Sequence, residues 1–131
     1  MAIPSRQYVE LETLNQQLSH IDKQISQTTQ QLDYLSIAQN MLSELETASD
    51  EQEMLIPLGG GLFLPVKAKE LSLIKTAVGA GVVIDKTPKD AKEFLVKKIN
   101  ELQELHDKLS QEYQVAAQKA TALQEEMDKK I

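Results

Sequence analysis

The chain has no cysteine and no tryptophan, and only five of its 131 residues are aromatic: Tyr8, Tyr34, Phe63, Phe94 and Tyr113. Without cysteine there is no disulfide framework and no thiolate chemistry, which suits a reducing compartment. Compact cores draw heavily on large rings, so a chain that is 41% hydrophobic but 4% aromatic is expected to bury aliphatic stripes instead. Basic residues are also short, 14 against 20 acidic for a net charge of −6. Nucleic-acid affinity is carried mainly by Lys and Arg, so no nucleic-acid partner is expected. No apolar run approaches the ~20 residues of a membrane span. Met1-Ala2-Ile3-Pro4 lacks the basic-then-apolar pattern of a signal peptide. The expectation is a single cytoplasmic domain over residues 1–131, without membrane contact.

Glycine and proline are few and unevenly placed. All five glycines (Gly59, Gly60, Gly61, Gly79, Gly81) lie in one short window, and the prolines are Pro4, Pro57, Pro65 and Pro88. Residues 5–56 and 89–131 therefore contain neither breaker. The reading is mainly α with a β insert: an N-terminal helix over 5–50, two β-hairpins over 51–87, and a C-terminal helix over 88–131.

Periodicity supports both helices. Alternating spacings of three and four visit Leu11, Leu14, Leu18, Ile21, Ile25, Thr28, Leu32, Leu35, Gln39 and Leu42, eight of ten apolar. The same spacing visits Leu95, Ile99, Leu102, His106, Leu109, Tyr113, Ala116, Ala120, Leu123 and Met127, nine of ten apolar. Such sustained heptads make a coiled-coil seam, narrower than the stripe of an ordinary globular helix. Thr87-Pro88-Lys89-Asp90 marks the second start, with Thr87 as cap, Pro88 at the first helical position and Asp90 at the capping-box spacing. The helices match in length, about 62 Å each at 1.5 Å per residue. The simplest structure is an antiparallel intramolecular coiled coil with the chain ends together, Leu14 near Leu123 and Leu32 near His106. The alternative is a parallel coil between chains, which the insert would have to leave and rejoin.

In the insert, Met54–Leu58 and Leu62–Val66 flank Gly59-Gly60-Gly61, and Ile74–Val78 and Val82–Lys86 flank Gly79-Ala80-Gly81. Both patterns signal hairpins. Isolated hairpins are marginal in water, and unburied aliphatic strands with open edges invite pairing with other chains. The residues expected to carry oligomerisation are Leu55, Ile56, Leu58, Leu62, Phe63, Leu64, Val66, Ile74, Val78, Val82, Val83 and Ile84.

No catalytic or cofactor pattern emerges. Gly59-Gly60-Gly61 runs into Leu62-Phe63, not into the Lys-Ser or Lys-Thr of a phosphate-cradling loop. Gly79-Ala80-Gly81 is followed by a β-branched run, not by the third glycine and helix of a dinucleotide fingerprint. His20 and His106 stand without metal-ligand spacing, and a polar seam residue such as His106 can set register at some cost in stability. No enzyme, cofactor or metal is expected.

At the free end of the coil, Ile3, Tyr8, Val9, Leu11 and Leu14 stand opposite Ala116, Ala117, Ala120, Ala122, Leu123, Met127 and Ile131. Several of these fall off the strict seam, so the apolar stripe widens. Met and aliphatic surface without fixed polar partners suits promiscuous apolar binding at a loosely paired tip. The same composition also suits an end that simply frays.

The order of helix, Leu55-Ile56-Pro57-Leu58-Gly59-Gly60-Gly61-Leu62-Phe63-Leu64-Pro65-Val66, Val78-Gly79-Ala80-Gly81-Val82-Val83-Ile84-Asp85-Lys86 and helix resembles the alpha subunits of the prefoldin family. The Pro-Leu-Gly-Gly-Gly form is similar to the archaeal type, and two hairpins instead of one separate it from the beta class. The resemblance implies a hexamer of two alpha and four beta subunits, with a β-barrel body built from hairpins of all chains and coiled-coil tentacles. It implies ATP-independent capture of unfolded proteins and their transfer to a group II chaperonin. By that analogy the client-binding residues are Ile3, Tyr8, Val9, Leu11, Leu14, Ala120, Leu123, Met127 and Ile131. The runner-up is a structural coiled-coil tether or filament-forming subunit with inert tips.

Overall fold

The computed structural model describes residues 5–47, 52–67 and 73–129. Helix α1 spans Ser5–Thr47, strands β1 Glu53–Gly59, β2 Leu62–Lys67, β3 Ile74–Gly79 and β4 Val82–Lys86 follow, and helix α2 spans Pro88–Lys129. The expected extension of the first helix to residue 50 lies outside the described residues, as do the site candidates Ile3 and Ile131. Contacts group the chain into two compact units. One joins the described residues up to Asp33 with those from Asn100 onward, and the other is Tyr34–Ile99.

In the first unit the seam is made by the spacing itself. Leu11, Leu14, Leu18, Ile21, Ile25, Thr28 and Leu32 on α1 are all buried or half-buried, and so are Leu102, His106, Leu109, Tyr113, Ala116, Ala120, Leu123 and Met127 on α2. Apart from Gln7, Ser110 and Ala117, the residues between them are exposed. A stripe this narrow can be covered by one facing helix, and each Leu or Ile removed from water stabilises by roughly 1.5–3 kcal/mol. Leu14, Gln17 and Ile21 border one surface pocket with Glu112, Ala116 and Lys119, which puts the two segments side by side. Thr28 is tolerated in the seam because its Oγ1 donates to the Gln24 carbonyl at 2.9 Å.

In the second unit α2 begins as the capping residues dictate. The Asp90 amide donates to Thr87 Oγ1 at 3.2 Å, and the Ala91 amide to the Thr87 carbonyl at 2.9 Å. Lys92 Nζ meets Glu46 Oε2 at 2.7 Å and joins the end of α1 to the start of α2. Both partners are part-exposed, so the pair is worth at most about 1 kcal/mol. Leu42 and Ala91 are buried between the helices here.

The hairpins are two copies of one local structure, offset by twenty residues. Pro57 pairs with Phe63 and Gly59 with Leu62 in the first, Ala77 with Val83 and Gly79 with Val82 in the second. Each register shifts by one residue just before the loop, leaving Leu58 or Val78 as a bulge. The two-residue loops, Gly60-Gly61 and Ala80-Gly81, have positive φ throughout: 61° and 80° in one, 51° and 76° in the other. That is the pattern of a type I′ turn, whose twist matches the flanking strands. A Cβ at Gly60 would meet nothing within 4 Å, so backbone conformation alone selects glycine there. Ala80 takes the same left-handed geometry with a Cβ, at a cost of about 1–2 kcal/mol. Ala80→Gly is therefore expected to slow amide exchange in the second hairpin several-fold while leaving the helices unchanged.

Candidate functional site

Cross-strand partners place their side chains on one face of a ribbon. Met54, Ile56, Leu64 and Val66 thus share one face of the first hairpin, and Leu55, Pro57, Phe63 and Pro65 the other. Both faces are apolar along these pairs, and Glu53 and Lys67 end the second at the strand ends farthest from the turn. Only Met54 is buried and Val66 half-buried, while Leu55, Ile56, Leu58, Leu62, Phe63 and Leu64 stay exposed. In the second hairpin one face carries Ile74, Thr76, Ile84 and Lys86, and the opposite face Lys75, Ala77, Val83 and Asp85. Lys75 Nζ and Asp85 Oδ1 form an ion pair at 3.2 Å across that second face. Ile74 is half-buried, whereas Val78, Val82, Val83 and Ile84 are exposed. An aliphatic surface of this extent on a single chain marks an interaction site.

The coil end does not loosen as its composition suggests. Ala116, Ala120, Leu123 and Met127 are among the most buried residues of α2, with Met127 only 3% exposed. Burial of these four residues shows the seam closed here, not open. Outside it stand the off-seam residues Tyr8, Val9 and Val115, 55%, 58% and 46% exposed, and Ala122. Leu11 and Leu14 are half-buried. The end also holds Gln7, whose buried Oε1 has no hydrogen-bond partner.

His106 sits in the seam as its spacing requires. Its Nδ1 is buried and unbonded, with Asp107 Oδ1 at 3.7 Å, beyond hydrogen-bond reach. An unsatisfied buried polar atom costs about 1–3 kcal/mol. His106→Leu is therefore expected to raise the thermal midpoint of the chain by several degrees, read by circular dichroism. Among the described residues no three His, Asp or Glu side chains gather into a metal-holding group. No described helix is long and apolar enough to cross a membrane.

Sequence periodicity missed one feature of the second unit. A groove of about 400 Å³ runs between the helices and β3, with Ala38, Met41, Leu45 and Phe94 from the helices and Ile74–Ala77 along its strand side. The Phe94 ring lies between Lys86 and Lys98, whose Nζ atoms are 5.4 and 5.0 Å from its centre. The signal was present: Ala38, Met41 and Leu45 are apolar positions off the strict seam, the same broadening noticed at the other end of the coil.

Comparison with known proteins identifies the architecture. Residues 14–131 match the model of the family described as prefoldin subunit. Human prefoldin subunit 5 is 29% identical over 126 residues, covering 93% of this chain and 82% of the human protein. Prefoldin subunit alpha of Methanoculleus marisnigri is 33% identical over 109 residues, covering 77% and 72%. A chain from the cryo-EM structure of filamentous PFD of Methanocaldococcus jannaschii superposes with a TM-score of 0.70 at 17% identity, covering 86% of this chain and 93% of that one. Two seamed helices joined by two exposed apolar hairpins, with a matching family model over most of the chain, place it: the chain belongs to the prefoldin family of chaperone subunits, with prefoldin alpha and subunit 5 among its relatives.

Proposed function

We propose that the chain is the alpha-type subunit of an ATP-independent holdase, assembled as two alpha with four beta-type subunits in the cytoplasm. The observation that carries this reading is the first hairpin, apolar on both faces up to Glu53 and Lys67 at its open end, with only Met54 buried and Val66 half-buried. Such a ribbon is stable only when other chains cover it, and hairpins from six subunits closing into β-barrels would do so while removing every free edge. The coiled coils then project as arms. Unfolded clients bind at their ends through Tyr8 and Val9, with Ile3, Leu11, Leu14, Ala120, Leu123, Met127 and Ile131 contributing as the last turns separate, and pass to a group II chaperonin.

The physics of capture is burial of client apolar surface at about 25 cal/mol per Å². Each arm contributes little, but several arms on one body raise the effective concentration of the next contact. Release needs no nucleotide, because each contact is weak.

The test is light scattering from a denatured client diluted without ATP into the co-expressed complex, comparing the full chain with one lacking residues 1–10 and 121–131. The expected result is suppression by the intact complex and not by the trimmed, still hexameric one. Equal suppression by both would move capture to the body or the beta-type arms. Suppression by neither would favour a tether or filament subunit with inert tips.

A further inference from the structure

The two flanks of the coil in the first unit differ in charge. Heptad spacing sorts the positions beside the seam over residues 11–33 and 100–123. On one flank stand Glu12, Asp22 and Asp33 of α1 and Asp107 of α2, with no base among them. On the other, the successive α1 positions Thr13, Gln17, His20, Gln24, Gln27 and Gln31 hold no Asp, Glu, Lys or Arg. The α2 charges of that flank, Glu101, Lys108, Glu112 and Lys119, cancel. Gln17, His20 and Gln24 border one pocket with Glu112, Val115 and Lys119, which puts the two neutral stripes on the same side. In a chain that is 26% charged, a helix stripe of six uncharged surface positions separates this flank from the other.

The neutral flank also exposes apolar surface away from the coil end. Among the described residues of this unit, the exposed large apolar side chains are Tyr8 and Val9 at the end and Leu105 and Val115 on this flank. The pocket there, of about 400 Å³, is lined by the seam residues Leu14, Ile21 and Ala116 as well as by Val115, so it offers a side chain apolar contacts on both helices. His20, at its border, lies ~18 Å along α1 from Tyr8 at 1.5 Å per residue, so this surface is separate from the coil end. Gln17 and Gln24 beside it are exposed. A glutamine amide both donates and accepts hydrogen bonds, as the unpaired main chain of an extended segment requires, and taking it out of water costs far less than taking out a charge.

Resting on the holdase reading above, we propose that this flank is a second client site. It takes an extended, uncharged, aliphatic segment of an unfolded protein, with one large side chain in the pocket over Leu14, Ile21 and Ala116 and the main chain hydrogen-bonded by Gln17 and Gln24. Segments of that chemistry are the ones a folded protein keeps inside, and the flank matches them in lacking net charge. The acidic flank faces solvent, because covering it would strip water from carboxylates that have no base beside them. A client held both here and at the coil end is released only when both contacts open, which lengthens its stay without any tight single contact.

The test uses the chain co-expressed with a prefoldin beta-type subunit and a labelled twelve-residue peptide of Leu, Val, Ser and Asn as probe. Leu105→benzoylphenylalanine places a photo-crosslinker on the neutral flank outside the pocket, and Gln103→benzoylphenylalanine places one on the acidic flank. The expected result is at least tenfold more crosslinked peptide from position 105 than from 103, and a tenfold loss at 105 when two central leucines of the peptide are replaced by Asp. Adding Gln17→Glu with Gln24→Glu should lower the yield at 105 at least tenfold. Ser19→Glu with Ser26→Glu, the same two charges on the acidic flank, should change it less than twofold. Glu and Gln are similar helix formers, so both pairs should melt as the unsubstituted complex does, and 0.3 M salt screens long-range repulsion. Equal yields from 105 and 103, or a yield at 105 indifferent to Gln17→Glu with Gln24→Glu, overturn the proposal. So does a crosslink from 105 to another subunit in the absence of peptide, which would make this flank a contact between arms. Any of these with client aggregation still suppressed leaves capture at the coil end standing. Loss of suppression by the unsubstituted complex fells the holdase reading, and this site with it.

Discussion

A chain carrying Phe63→Asp is expected to fold and to be absent from the assembled complex. Phe63 is exposed on one face of the first hairpin, and surface substitutions away from packed features change stability by about 0.5 kcal/mol or less. Helicity and the thermal midpoint of the isolated chain should therefore hold. In the proposed assembly that face would be covered, and the change would then lose about 1.5–3 kcal/mol of aromatic burial and add several kcal/mol for an unpaired charge taken out of water. At about 1.4 kcal/mol per tenfold, each copy weakens association by roughly a thousandfold or more. Size-exclusion chromatography of the co-expressed subunits reads this directly. A hexamer that persists with Phe63→Asp would mean that this hairpin face stays in solvent. Val83→Asp should also impair assembly, but less, because Val83 shares its face with the Lys75–Asp85 pair, which already leaves a charged strip there.

The second large effect concerns capture. Tyr8→Ser with Val9→Ser removes most of the described apolar surface that stands outside the seam at the coil end. Client aggregation should then be suppressed several-fold less, with coil stability and hexamer mass unchanged. Leu123→Ser with Met127→Ser should abolish capture and leave assembly intact, by a different route. Both side chains are buried, and truncating a buried Leu or Met costs about 2–5 kcal/mol. The end of the coil should unzip as well as lose apolar surface, and thermal melting of the complex separates the two pairs. If all four changes leave light scattering as in the unsubstituted complex, clients do not bind this end of the chain.

The residues that could be read without coordinates are those whose role is set by neighbours a few positions away. Spacings of three and four from Leu11 to Leu42 and from Leu95 to Met127 named the residues withdrawn from solvent, because a helix with one narrow stripe has a single way to bury it. Thr87-Pro88 marked the start of α2, because a cap is satisfied by amides two or three residues on. Gly59-Gly60-Gly61 and Gly79-Ala80-Gly81 marked both turns, because left-handed backbone is costly for a residue with a Cβ.

What spacing could not supply was depth and adjacency. The alanines near Ala120 read as a loosely paired tip or as a fraying end, whereas the structure buries Ala116, Ala120, Leu123 and Met127. The groove beside β3 is built from Ala38, Met41 and Phe94 on two helices and Ile74–Ala77 on a strand, residues that share no period. The pairing register was needed to place Pro57 and Pro65 in equivalent positions on the two strands of the first hairpin, matched by Ala77 and Asp85 in the second. Local propensity determined which elements form and where they turn. The contacts of side chains and backbone edges brought together from distant positions decided which surfaces are closed within the chain and which are left for another.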